Sequence, residues 1–131
     1  MSAGDVEGDV DAVLEANQAF YEAFEARDLD AMSELWEHTD RVVCTHPGSP
    51  TLRGWGLIAG SWYVLFTNNE HLQFIVTNAK GEVDGDIAWV VCDENILGGA
   101  SGGTVAALNL FARRPGGRWF MIGHHGGQIL G

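Results

Sequence analysis

Positive charge is what this sequence has least of: seven Lys plus Arg face eighteen Asp plus Glu, a formal net charge of −11. Such a chain is repelled by phosphate backbones and by anionic lipid, so neither nucleic acid nor a membrane surface is an expected partner. Long apolar runs are missing too. No segment approaches the roughly 18 uninterrupted apolar residues of a spanning helix. The start, with Asp5, Glu7 and Asp9, has no basic region of the kind that opens a signal peptide, and a cytoplasmic location is expected. Cysteine is limited to Cys44 and Cys92, both inside apolar strand patterns, which points to buried reduced thiols rather than a disulfide framework. The motifs HExxH, CxxC and His-x-His do not occur, and neither a metal nor a cofactor is expected.

What the chain does have is apolar and aromatic mass: 46% of its 131 residues are hydrophobic, with five Trp and six Phe, enough for one substantial core. A single domain over 1–131 is expected, with 1–8 flexible. Val10, Val13, Leu14, Asn17, Phe20, Tyr21 and Phe24 recur at helical spacing with Glu15, Glu22 and Glu25 between them, an amphipathic helix. Arg27-Asp28-Leu29-Asp30 breaks it, and Asp28 or Asp30 can cap a short second helix that turns Met32, Leu35 and Trp36 inward. Residues 41–46 read as a strand ending in the turn Pro47-Gly48-Ser49-Pro50, and a third helix after Gly54 carries Ile58, Trp62 and Leu65 on one side. Four further strands follow near 72–80, 86–97, 103–114 and 118–125, separated by glycine-rich turns. Helices first and a meander afterwards predict an α+β fold, with three N-terminal helices packed on a strongly curved antiparallel sheet.

The helix, break and second helix from Phe20 to Met32 resemble the opening of SnoaL-like and ketosteroid-isomerase-like proteins. Thr45-His46-Pro47-Gly48, Leu52-Arg53-Gly54-Trp55, Ser61-Trp62, Gly117-Arg118-Trp119 and His124-His125-Gly126-Gly127 extend the likeness in order over nearly the whole chain. The chain thus resembles the SnoaL-like branch of the nuclear transport factor 2-like superfamily, whose ketosteroid-isomerase-like and polyketide-cyclase-like members form a cystatin-like cone around one central pocket. The superfamily includes isomerases, cyclases, dehydratases and non-catalytic association domains, so function has to come from the site.

In that resemblance His46 stands where ketosteroid isomerases place a carboxylate base, and an imidazole can take a proton near neutral pH. Asn109, the one amide in an otherwise apolar strand, stands where the isomerases place a protonated acid, and could donate to a substrate oxyanion. Each also has a structural reading, as a strand-end histidine on a backbone carbonyl and as a satisfied core amide. The family's oxyanion tyrosine falls on Phe20, leaving the adjacent Tyr21. Phe20, Tyr21, Trp62, Phe111 and His125 are the expected substrate-binding residues, with His125 sharing strand parity with Trp119 and Met121, and His124 facing away. Arg53 is expected to lock its loop by pairing with an acid.

Two functions compete. One is a cofactor-independent isomerase, cyclase or lyase acting by proton transfer on a small, largely apolar or carbonyl-bearing molecule. The other is a non-catalytic ligand-binding or dimerisation domain. In either case a homodimer through the outer sheet face is expected, with Val90, Leu108, Leu110 and Ile122 as the apolar contacts.

Overall fold

The computed structural model describes residues 3–68, 71–97 and 103–130, with side chains from residue 6 onward. Among the described residues there are three helices, α1 (Ala3–Ala26), α2 (Leu29–Leu35) and α3 (Trp55–Thr67), and six strands, β1 (Val43–Thr45), β2 (Leu52–Arg53), β3 (Gln73–Asp84), β4 (Ile87–Leu97), β5 (Gly103–Arg113) and β6 (Trp119–Gln128). The strands form one open sheet in the order β2-β1-β6-β5-β4-β3. The meander β3 to β6 is antiparallel, as expected, with turns at Gly85 and at Pro115 to Gly117, and the turn expected from Gly98 to Gly103 falls on 98–102, outside the described residues; β1, however, joins β6 in parallel, so the sheet is mixed. A parallel pairing needs a long crossover, and the chain from β1 to β6 provides one.

Helix α1 begins well before the first apolar repeat, so the segment expected to be flexible is helical from Ala3. An ion pair from Arg113 of β5 to Asp9, at 2.8 Å and partly buried, ties this early part to the sheet. The chain leaves α1 at Arg27, whose φ of 54° is left-handed, and Asp28 then caps α2 by accepting from the Ala31 amide at 3.0 Å. Glycine serves the same end at α3, where Gly54 takes a φ of 87° that other residues adopt only with strain.

Two irregularities shape the sheet. In β3, Thr77 pairs with Asp93 and Lys80 with Val91, so two residues, Asn78 and Ala79, oppose Cys92, and Asn78 takes a φ of 58°. In β6, Met121 pairs with Phe111 and Gly123 with Leu110, leaving Ile122 as the extra residue. Each bulge bends its strand and exchanges the faces of every residue beyond it. The concave face receives Phe74, Val76, Val90, Cys92, Glu94, Asn109, Phe111, Trp119, Met121 and His124, over which α1 lays Val13, Asn17, Phe20 and Tyr21. Cys44 and Cys92 are free and buried, as their patterns predict.

Two expectations about the outside are corrected. Val90 is fully buried on the concave face with Ala88 and Cys92, so the outward apolar residues of β4 are Val91 and its parity mates. Arg53 is exposed and makes no ion pair among the described residues; β2 is held instead by backbone pairing to β1 and by Gly54 N–H donating to Val42 O at 2.9 Å. The arginines that do pair with a buried acid nearby are Arg41 and Arg114, which meet Glu37 at 2.6 Å and 3.2 Å. Because the Asp28 carboxylate satisfies an otherwise open helix-start amide, Asp28→Ala should lower stability by about 1 kcal/mol in urea unfolding, and Asp28→Asn should restore most of it.

Candidate functional site

The polar interior is built from one helix and three strands, α1, β4, β5 and β6. The Asn109 side chain, fully buried on β5, donates both amide hydrogens, to Asn17 Oδ1 at 2.8 Å and to Tyr21 Oη at 3.1 Å. Its oxygen therefore accepts, and His124 Nδ1 lies 2.6 Å from it as the donor, which sets the Nδ1–H tautomer of that ring. Tyr21 in turn donates to Glu94 Oε2 at 2.6 Å, with the Cys92 thiol 3.4 Å away. Glu94 is only 3% exposed and makes no ion pair among the described residues.

Burial sets the charge states. It pushes the Glu94 carboxyl up to about 7, against the pull of the Tyr21 hydrogen bond. The Tyr21 hydroxyl is pushed far above its ordinary range by burial first, then by Glu94 and Cys92. Burial drives His124 down to about 3, so the ring is neutral, and lifts the Cys44 thiol to about 12. The network is a set of neutral groups, with Glu94 the member closest to changing state near neutral pH.

His46 sits beside this network rather than within it. The Ser61 hydroxyl donates to Ile58 O at 2.7 Å and so accepts from His46 Nε2–H at 2.9 Å, which holds the ring edge-on to Trp62 at 4.8 Å and 6.3 Å from the His124 ring. Burial lowers its basicity. The ring points inward, as a pocket residue would, but the space between α3 and the sheet is filled by side chains. Phe20, Trp62 and Phe111 are all fully buried, with Phe20 packed on Tyr21, Trp62 and His124.

A cavity lies elsewhere, between α1 and β3. It has a volume of about 680 Å³, with Leu14, Phe74, Val76 and Ala79 as apolar wall and Asn17, Gln18, Tyr21, Glu22 and Glu25 as polar wall. Tyr21 and Asn17 are thus shared by the cavity and the buried network. Tyr21 reaches the sheet although the family's tyrosine position falls on Phe20, because the interior wraps both neighbours on the helix: Phe20 faces α3 and β6, Tyr21 faces β4 and β5.

His125 does not join the site. It is exposed on the convex face beside Leu108, Asp93 and Asn78, and His124 takes the inward place. The parity argument fails because Ile122 is a bulge residue, and beyond it the faces of β6 are exchanged. His46 and His125 consequently lie on opposite faces and cannot hold one ion. The residues that sequence reasoning missed are Glu94, His124 and Asn17. Glu94 shares period-two parity with Ala88, Val90 and Cys92, and placing Val90 outside hid it.

The raised carboxyl makes a signed prediction. An unfolded glutamate titrates near 4.5 and the folded Glu94 near 7, so its favourable contribution is complete below 4.5 and is lost as pH rises through 7. Relative to the parent chain, Glu94→Gln should gain stability over that interval by about 3 kcal/mol, read from urea unfolding at a series of pH values. A difference that does not vary with pH would contradict the buried, raised carboxyl.

Residues 13–130 match the model of the family described as the SnoaL-like domain. A solved structure from Streptomyces avermitilis, described as a candidate dehydratase of the NTF2-like family, is 39% identical, covers 95% of this chain and 99% of its own, and superposes with a TM-score of 0.87. A candidate association domain of calcium/calmodulin-dependent protein kinase type II from Thiobacillus denitrificans is 30% identical over 88% of this chain and 93% of its own, with a TM-score of 0.74. The F-box protein SKIP8 of Arabidopsis thaliana is 29% identical over 119 residues, which are 91% of this chain and 50% of that protein, so the chain spans about half the length of this relative. With the helices, the curved mixed sheet and the family match in agreement, this chain belongs to the SnoaL-like domain family of the NTF2-like superfamily.

Proposed function

We propose that this chain binds a neutral, mainly apolar small molecule in the α1–β3 cavity and carries out cofactor-independent proton transfer on it, as an isomerase or a lyase of the dehydratase or cyclase kind. The observation that carries this reading is the meeting of a cavity of about 680 Å³ with Tyr21, whose hydroxyl lies 2.6 Å from a buried carboxyl poised near pH 7. With Glu94 protonated, Tyr21 can give its hydrogen to a substrate oxygen and take the Glu94 proton in its place, while a rim carboxyl oxygen of Glu22 or Glu25 takes the proton from the neighbouring carbon, so that acid and base act together. Among the described residues no Lys or Arg lines the cavity and Glu22 and Glu25 do, so a ligand bearing carboxylate or phosphate is opposed.

In this reading Asn109 is a positioning residue for Tyr21, because both its donor hydrogens are already placed. His46 is a positioning residue for Trp62 and α3 through Ser61. The relative described as a candidate dehydratase supports a lyase-type reaction without identifying the substrate.

The assembly reading also has support of its own. The convex face exposes Ile75, Ile87, Val91 and Leu108, with Leu110 and Ile122 half-buried among them, and a relative at 30% identity is described as an association domain. A homodimer through this face is part of the proposal, and it requires about 1,000 Å² or more of buried area. Light scattering should give twice the chain mass, and Leu108→Lys should give the single mass.

Proton transfer is tested without knowing the natural substrate by following loss of the methyl proton signal of acetylnaphthalene in heavy water. The protein in catalytic amount should accelerate exchange, and Tyr21→Phe should remove most of the effect, about a hundredfold for a lost general acid. If this ketone and a set of enones and hydroxy ketones exchange at the background rate, the chain is a binding or assembly domain.

A further inference from the structure

The hydrogen count at Tyr21 holds more than a site. Its oxygen accepts from Asn109 Nδ2 at 3.1 Å, and its single hydrogen is directed to Glu94 Oε2 at 2.6 Å. As long as Glu94 is a carboxylate, a ligand beside Tyr21 in the cavity meets a hydroxyl with no hydrogen to give. A protonated Glu94 reverses this. Its O–H can donate to the second lone pair of the tyrosine oxygen, and the tyrosine hydrogen, released from Glu94, can then turn to an acceptor oxygen in the cavity, a stronger acceptor than the Cys92 sulfur 3.4 Å away.

We propose, resting on the cavity reading above, that protonation of Glu94 switches Tyr21 from a closed to an open donor, so that the α1–β3 cavity takes up an apolar molecule through a carbonyl or other acceptor oxygen only in the protonated state. The proton comes from water and enters at a Glu94 carboxylate oxygen. No covalent bond in the ligand changes. The class of ligand follows: an acceptor oxygen on an apolar body, without negative charge, since among the described residues the charged side chains lining the cavity are Glu22 and Glu25.

The groups around the switch are accounted for element by element. From α1 come Tyr21, held as the phenol, and the rim carboxyls Glu22 and Glu25. From β4 comes the Cys92 thiol, pushed up by burial, with Asp93 on the other face. From β6 comes His124, neutral because burial holds it near 3, and from β1 the Cys44 thiol, held near 12. His46 lies beyond His124 and is shifted below its ordinary range. Of the groups inside the network, Glu94 alone changes state across neutrality.

Acetylnaphthalene, which can only accept, and naphthalene, which can do neither, are the probes, followed by fluorescence at about pH 5.5 and about pH 8.5, on either side of the carboxyl midpoint. The ketone should bind the parent chain about tenfold more weakly at the higher pH, the worth of one hydrogen bond, and naphthalene should bind equally at both. Glu94→Gln, whose amide can donate to the tyrosine oxygen as the acid does, should bind the ketone at both pH values as the parent does at the lower one. Tyr21→Phe should bind the ketone no better than naphthalene. The parent chain alone gives an independent readout: saturating ketone should raise the titration midpoint of the labelled Glu94 carboxyl carbon by about one pH unit, the reciprocal of the tenfold effect. Ketone binding that is equal at both pH values, or that keeps its pH dependence in Glu94→Gln, overturns the switch while saturable naphthalene binding upholds the cavity. Failure of both probes to saturate overturns the cavity reading as well.

Discussion

A carboxyl group buried without a cation is the constraint from which the interior of this domain follows. Ionised in a medium of low polarity, Glu94 would cost several kcal/mol, and the fold meets this by partial neutralisation and by one short hydrogen bond from Tyr21. That bond fixes the tyrosine, the tyrosine accepts from Asn109, and Asn109 selects the tautomer of His124. Glu37 shows the opposite solution in the same chain. It is equally buried, yet Arg41 above all, with Thr39 and Arg114, holds it ionised at about 2. Glu37 therefore serves as a clamp between the α2–β1 connection and the β5–β6 turn, while Glu94 keeps a proton within reach of neutral pH.

The two halves of the concave face consequently differ in what they can do. Beneath α3 and β6 the rings of Phe20, Trp62, Phe24 and His124 close on one another, and this end is a packed core in which Asn109 satisfies His124 Nδ1, while the buried Trp62 indole N–H has no hydrogen-bond partner among the described residues. Beneath the middle of α1 the sheet edge at β3 stands away, and the bulge at Asn78 and Ala79 bends that strand. A binding space at the bent edge, in contact with a buried acid through one tyrosine, is an arrangement suited to gripping a single oxygen of an otherwise apolar molecule.

Much of the fold was legible in the sequence because it depends on period and punctuation. The 3.6-residue repeat from Val10 to Phe24, the Asp28 cap, the Gly54 start of α3 and the turns at Gly85 and at Pro115 to Gly117 each mark an element boundary where the structure has one, whereas Gly81 falls inside β3. The residues of Phe20 to Met32 and the other quoted motifs were enough to identify the family. The site was legible only in part. Asn109 and Tyr21 stood out as polar groups on apolar elements, and both belong to the network. Which face a strand residue occupies depends on bulges, and a bulge at Ile122 leaves no composition signal beyond a neighbouring glycine. So His125 was expected where His124 lies, and Val90 was expected outside. The position of the cavity was not legible at all, because it depends on how far β3 stands from α1, a tertiary distance that no local pattern encodes.

The central claim is that a ligand sits between α1 and β3, against Tyr21. The most direct measurement is a titration of isotope-labelled protein with acetylnaphthalene, following backbone amide shifts. The account predicts that the amides of Asn17, Gln18, Tyr21, Phe74 and Val76 move together along one saturable curve. Shifts centred instead on Leu108 and His125 of the convex face, or on Trp62 of α3, with those five unmoved, would contradict it.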